Sequence, residues 1–468
     1  MKLGSFLTKI AVLFAFVAAL IAFIRSRRIP EHLVFIEGTV EKGFENIKDV
    51  FRENFARGWE RDGAALCVYH NGRKVVDIWG GYSDLQSERR WKEDTMSVAF
   101  SSTKAIAGLC VALLVDRGHV TYDTKVEDTM SVAFSSTKAI AGLCVALLVD
   151  RGHVTYDTKV VDFWPEFGKH GKDKITLEMV LAHTAGLAHL DEIITFEDAK
   201  NPERMAKIIE NQVPHWIPGE KVGYHAVAFG WIIDQIIRRV DPKKRSIGTF
   251  FREEIAEVHD IDFYIGLPLE KAHRVARLSK TTHWQRFDEI LSDPHSINYF
   301  HVAYDIWTDG FLSKMGKNPA WMQSVFRMTI NNPDLYTLEQ PAALGIGTAR
   351  AMAKLFNLVM EGKILSKDML KKLTVPVVTD YDIVIGVALP RGHGFTYVNE
   401  KRGNHSFSMI GHAGLGGQNV RFDLENNFSF GYLSNGLKNG FGNTARTYLP
   451  LKEAIYSSII KLTEADSI

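Results

Sequence analysis

The sequence predicts a mixed α/β chain of the α+β kind, an antiparallel sheet flanked by helices with an all-helical subdomain inserted into it. Two observations predict this. Alternating, strand-like segments cluster near both ends of the chain, and the long middle has helical periodicity broken by loops. At the first end, Leu66–His70 and Lys74–Trp79 alternate apolar and polar residues around Asn71-Gly72, a dipeptide that suits a two-residue hairpin turn. The region from about 161 to 370 reads as helices and long loops. Strands return at Ile383–Leu389, Asn419–Leu424 and Phe428–Leu433, the last two joined through Glu425-Asn426-Asn427. A helix from about Thr447 to Leu462 closes the chain. The expected division is a sheet from about 50–92 and 375–468 enclosing a helical part from about 100 to 370, with a cleft between them for a site.

Composition supports a folded chain. Its 468 residues are 46% hydrophobic and 24% charged, with a formal net charge of +1. That balance argues against disorder, and no basic stripe favours nucleic acid as a partner. Cys67, Cys110 and Cys144 fall in apolar segments, where cysteine acts as a small hydrophobe, so neither a disulfide framework nor a zinc site is read from them.

The N-terminus differs from the rest. Ile10 to Ile24 is apolar throughout and is flanked by Lys2, Lys9, Arg25, Arg27 and Arg28. With Gly4 onward the segment is about 21 residues, roughly a bilayer's span. The expectation is a membrane-tethered protein, with a single-pass N-terminal signal anchor over 1–28 and the catalytic part from 29 to 468. The membrane and the face are left open, because positive charge flanks both ends.

Glu93–Val126 recurs without change as Glu127–Val160. Two identical copies are not a solenoid, which needs at least three units with distinct caps. They compete for one slot in one core, so one copy is expected to dock and the other to lie outside it. Each copy carries Ser-Ser-Thr-Lys at the start of a helical stretch: Ser101 to Lys104, and Ser135 to Lys138. On a helix, positions i and i+3 share a face, so the lysine can reach the serine hydroxyl one turn earlier. Free N–H groups at a helix start also favour a developing oxyanion. The pattern alone is weak, since Ser458 to Lys461 matches it on what reads as a solvated face.

Several stretches, in order, make the chain resemble the β-lactamase-related serine hydrolases, a group that includes class C β-lactamases, D-alanyl carboxypeptidases, esterases and animal relatives. The stretches are FSSTK with LLVDRGHVTYDTKV, then VVDFWPEFGKHGKDKITLEMVLAHTAGL, PGEKVGYHAVAFGWI, PAALGIGTARAMAKLF and GHAGLGG. The resemblance runs from about Val50 to Leu462. It implies a β-lactamase/transpeptidase-like fold and a serine hydrolase that forms an acyl-enzyme on an ester, amide or small peptide.

Carried over by position, the resemblance makes Ser101 or Ser135 the nucleophile and Lys104 or Lys138 its partner. Tyr224 becomes the proton shuttle between nucleophile and leaving group. A phenol titrates near 10 when unperturbed, so a neighbouring ammonium is needed to make it a useful base. His412-Ala413-Gly414 stands where many members have Lys-Thr-Gly. His412 would polarise the tyrosine or touch substrate, and Gly414 would let the substrate backbone approach. The N–H near Leu415 would be the second oxyanion donor. Ala226, where the family often has asparagine, weakens the case for β-lactam substrates.

His183, in LAHTAGL, is read as part of a structural turn. No metal-ligand spacing and no Gly-x-Ser-x-Gly are seen, and neither metal nor cofactor is expected. The alternative to an enzyme is a catalytically weak or inactive membrane-anchored scaffold of the same fold, suggested by the extra copy beside the nucleophile.

Overall fold

The computed structural model describes residues 35–102, 156–292, 297–324, 327–440 and 442–465. Its main element is a nine-stranded antiparallel sheet. In spatial order the strands are Ile36–Val40, Arg73–Asp84, Gly63–His70, Phe428–Ser434, Asn419–Asp423, His405–Ala413, Phe395–Arg402 and Arg391–Gly392, with Arg89–Arg90 pairing off the second. The two ends of the chain meet where Gly63–His70 pairs with Phe428–Ser434, Val68 opposite Phe430.

The hairpin expected at Asn71-Gly72 is present. Both residues have positive φ, 49° and 76°, as a type I′ turn requires. The expected strands at 419–424 and 428–433 also form, and the closing helix runs from Tyr448 to Ala465. The segment 383–389 differs from expectation. It is a turn between the two-residue strands Tyr381–Asp382 and Val387–Ala388. The Asp382 carboxylate accepts the N–H groups of Val384 and Ile385, and Gly386 takes φ 72°, so the apolar run is bent back before it can extend.

Alternation along Phe428–Ser434 shows how the layers are built. Phe428, Phe430 and Tyr432 enter one core with Phe51, Phe55, Leu451 and Ile455 from the helices Glu45–Ala56 and Tyr448–Ala465. Each such buried side chain is worth about 1.5–3 kcal/mol. On the opposite face, Ser429 Oγ donates to Ala353 O at 2.9 Å, and a Cβ on Gly431 would lie 2.5 Å from Ala349 O. Gly431 therefore lets the helix Ala349–Met360 lie directly on the sheet. Beyond that helix the middle of the chain forms a second, mainly helical core around Phe229, Ile233, Ile237 and Leu355. A three-stranded sheet links it to the repeat: Ser97–Val98, a short strand the sequence suggests ahead of the serines, pairs with Gly345–Gly347, which pairs in turn with Phe263–Ile265, and neither partner was expected.

The described parts of the duplication are the head of the first copy, through Ser102, and the tail of the second, from Tyr156. Tyr156 and Val160 are buried in the helical core.

The single-pass anchor, and the membrane as a partner, are corrected. No helix among the described residues is long and apolar enough to cross a membrane. The 18-residue closing helix carries Lys452, Glu453, Lys461 and Glu464 and spends its apolar face on the sheet. The apolar run from Ile10 to Ile24 lies outside the described residues.

Candidate active site

Three distant segments converge at the C-terminal end of the strand His405–Ala413, inside the main sheet. The first is the 3₁₀ turn Phe100–Ser102. Ala99 N–H donates to Gly345 O, which ties the turn's start to the small sheet. Phe100 then takes φ 44° although it is buried, a conformation that costs a non-glycine residue about 1 kcal/mol or more and is concentrated at functional sites. The bend leaves Ser101 half-buried at the crevice and Ser102 fully buried behind it.

The second segment is the loop before the helix Ala228–Val240. Tyr224 is 2% exposed, and its hydroxyl lies 3.4 Å from Ser101 Oγ. That is longer than an ideal O–H···O bond, and catalytic contacts are often loose before substrate binds. Around Tyr224 the backbone is held by side chains. Its N–H donates to Asp382 Oδ1 at 3.1 Å, and the same carboxylate lies 2.8 Å from Arg391 Nη2 in an ion pair buried to 0% and 2% exposure. His225 Nε2 accepts from Leu187 N–H at 2.8 Å, so its Nδ1 carries the proton it gives to Gly223 O. The His183 ring packs edge-on against Tyr224 at 5.5 Å. His183 has φ 66°, and its carbonyl accepts Gly223 N–H, the geometry of the turn expected there.

The third segment is the end of the strand His405–Ala413. His412 is buried, its carbonyl lies 3.5 Å from Ser102 Oγ, and the residue lines a small crevice with Leu181, His183, Arg391 and Thr396. A Cβ on Gly414 would lie 2.8 Å from Ala99 O, so only glycine allows the strand end to meet the serine turn this closely. Leu415 begins the 3₁₀ turn Leu415–Gly417 that follows. Behind His412, burial pulls the Arg421 guanidinium down to about 10, and the Thr396 carbonyl and hydroxyl accept its Nη1.

Ser101 thus meets Tyr224 directly, while His412 and Gly414 approach the same serine turn through Ser102 Oγ and Ala99 O. Lys104, Ser135 and Lys138 lie outside the described residues. The residues that sequence reasoning missed are Phe100, Asp382, Arg391 and His225. Asp382 is separated from Tyr224 by 158 positions, and no spacing could announce the contact.

The Beta-lactamase family profile matches residues 51–130 and 127–454. The chain belongs to that family and is an enzyme of its serine hydrolase class, with a β-lactamase/transpeptidase-like fold. The second matched stretch starts at the first residue of the second repeat copy. Among named relatives, it is 27% identical over 412 residues to the esterase/beta-lactamase LipL of Mycobacterium tuberculosis, covering 86% of this chain and 83% of that one. A family VIII carboxylesterase superposes with a TM-score of 0.70 at 27% identity, over 91% of this chain and 100% of the other. A penicillin-binding protein homologue from Caulobacter crescentus gives 0.68 at 27% identity, over 91% and 100%. Nothing in these likenesses supports the inactive-scaffold alternative.

Proposed function

We propose that the protein hydrolyses carboxylic esters through an acyl-enzyme on Ser101. The observation that carries this reading is the contact of Ser101 Oγ with the Tyr224 hydroxyl, 123 positions away, on a serine turn that the strand end at Gly414 approaches closely.

The reaction follows from the positions. Ser101 Oγ attacks the ester carbonyl carbon while its proton passes to Tyr224. The C–O bond to the alcohol breaks, and Tyr224 returns the proton to the leaving oxygen. Water then attacks the acyl-enzyme along the reverse route, and Ser101 regains its proton. The Ser101 N–H and the N–H near Leu415 would face the developing oxyanion, a contribution of about 3–4 kcal/mol per donor in enzymes of this kind. Lys104 is the proposed partner that keeps the phenol basic. Esters are favoured over β-lactams by Ala226, which removes an amide side chain from the substrate side, and by the esterase and carboxylesterase among the relatives.

The test is fluorophosphonate labelling and p-nitrophenyl ester hydrolysis with Ser101→Ala, Ser135→Ala and the double variant. Loss of label and turnover in Ser101→Ala alone supports the assignment. Loss in Ser135→Ala with Ser101→Ala active would move the nucleophile to the second copy, and label surviving in the double variant would end the serine reading altogether.

A further inference from the structure

Away from the serine crevice, two loops bring together His189, Asp191 and His215. We propose that these three residues form a binding site for one divalent transition-metal ion of zinc's coordination habits. Their ligand atoms all lie within 4.8 Å of one another. Asp191 Oδ1 is 2.9 Å from His189 Nε2 and 3.4 Å from His215 Nε2. A tetrahedral zinc site with bonds of about 2.0–2.2 Å has ligand–ligand edges of about 3.3–3.5 Å, so the cluster needs only small rotations to close on an ion.

The ligands are held from behind. His215 Nδ1 sits 3.1 Å from Gly186 O, which makes it the protonated nitrogen and leaves the Nε2 lone pair for the cluster. The Gln212 side chain donates to Asp191 Oδ2 at 2.6 Å and accepts Asp191 N–H at 2.7 Å, which turns Oδ1 toward both imidazoles. The two rings stack at 4.0 Å, tilted by 30°, against Phe311. His189 is 5% exposed, and its Nδ1 is buried without a hydrogen-bond partner among the described residues. The Asp191 side chain is 62% exposed, so a coordination position remains open to water or another small ligand.

Two features set the strength. The lack of a hydrogen-bond partner behind His189 Nδ1 among the described residues weakens affinity, by about 10–100-fold when such partners are removed elsewhere. Lys314 adds an unfavourable positive charge nearby. The site should therefore be weaker than a closed structural zinc site and reversible to chelators. Its placement gives it a consequence. The Gly186 carbonyl that holds His215 belongs to the same turn as His183, and the Trp216 ring lies against Gly223, next to Tyr224. An ion here would clamp the two loops that back the tyrosine.

The His189-Leu190-Asp191 spacing alone did not announce a site, because the third ligand, His215, comes from a second loop that only folding brings near. The experiment uses the full chain, stripped with a chelator and titrated with zinc chloride by calorimetry and with cobalt(II) by visible absorption. One equivalent should bind and give the intense visible bands of four-coordinate cobalt. Asp191→Asn and His215→Ala should each weaken binding at least tenfold, and Asp191→Asn should do so while keeping the metal-free melting temperature. His405→Ala, at a remote histidine, should bind as the parent does. Absence of stoichiometric binding in the parent, or unchanged binding in both variants, overturns the proposal. If one variant fails to fold, the other decides.

Discussion

The two walls of the serine crevice are built differently. The wall carrying His412 and Gly414 is backbone: His412 pairs with Val420 in a continuous antiparallel ladder, and the close approach to the serine turn depends on an absent side chain at Gly414. The wall carrying Tyr224 is a loop held by polar side chains, with Asp382, Arg391, His225 and His183 supplying what a ladder would otherwise provide. A ladder spreads its stability over many equivalent bonds. A loop concentrates it in a few groups, and buried polar groups are costly once a partner is lost. Side-chain substitutions should therefore damage the loop wall more than the sheet wall.

The largest expected effect is on chemistry. Tyr224→Phe should lower kcat/KM for a p-nitrophenyl ester by about 10²–10⁴-fold with little change in melting temperature. A loss below tenfold would remove the phenol from proton transfer.

Next comes the ion pair behind it. Asp382→Leu leaves Arg391 charged and buried, and should cost about 3–5 kcal/mol in urea unfolding, with activity falling as the Tyr224 loop loosens. Asp382→Leu combined with Arg391→Met should recover much of the stability but not the activity, because the Tyr224 N–H still lacks its acceptor. Recovery of both would show that the pair does not position the tyrosine.

A pH experiment probes a buried group two residues along from Arg391. His393, beside the edge strand, packs its ring at 4.6 Å from Tyr156, and burial with help from Lys372 lowers its pKa from 6.5 to about 4. The folded state thus takes up this proton later than the unfolded state as pH falls. Stability from this group is complete above about 6.5 and declines to about pH 4, a loss of about 3 kcal/mol. His393→Asn, which tolerates the φ of 53° there, should flatten the stability profile in that window. An unchanged profile would place the acid sensitivity elsewhere.

The smallest effect belongs to the sheet side. Ser429→Ala removes one buried hydrogen bond to Ala353 O and should cost about 1 kcal/mol without changing ester turnover. A marked loss of activity would contradict the contrast between the walls.

Much of this was legible in the chain. The Asn71-Gly72 hairpin, the paired strands around Glu425-Asn426-Asn427 and the closing helix follow from local turn chemistry and period-two or 3.6 patterning, which act over a few residues. The order of the Ser-Ser-Thr-Lys, Tyr224 and His412-Ala413-Gly414 motifs pointed to the family, and two of the residues it singled out, Ser101 and Tyr224, lie in contact. The bend at 383–386 was not legible, because an apolar run looks like a strand until Asp382 captures its N–H groups.

By itself, then, the sequence determined many of the local elements and the family, since both depend on side-chain type and near-neighbour spacing. Tertiary structure alone decided that Ser101 of the first copy meets Tyr224, that a buried Asp382–Arg391 pair holds that tyrosine's backbone, and that His189, Asp191 and His215 converge. Those contacts join segments up to 158 positions apart. Their energies come from packing and desolvation, which no short stretch of sequence encodes.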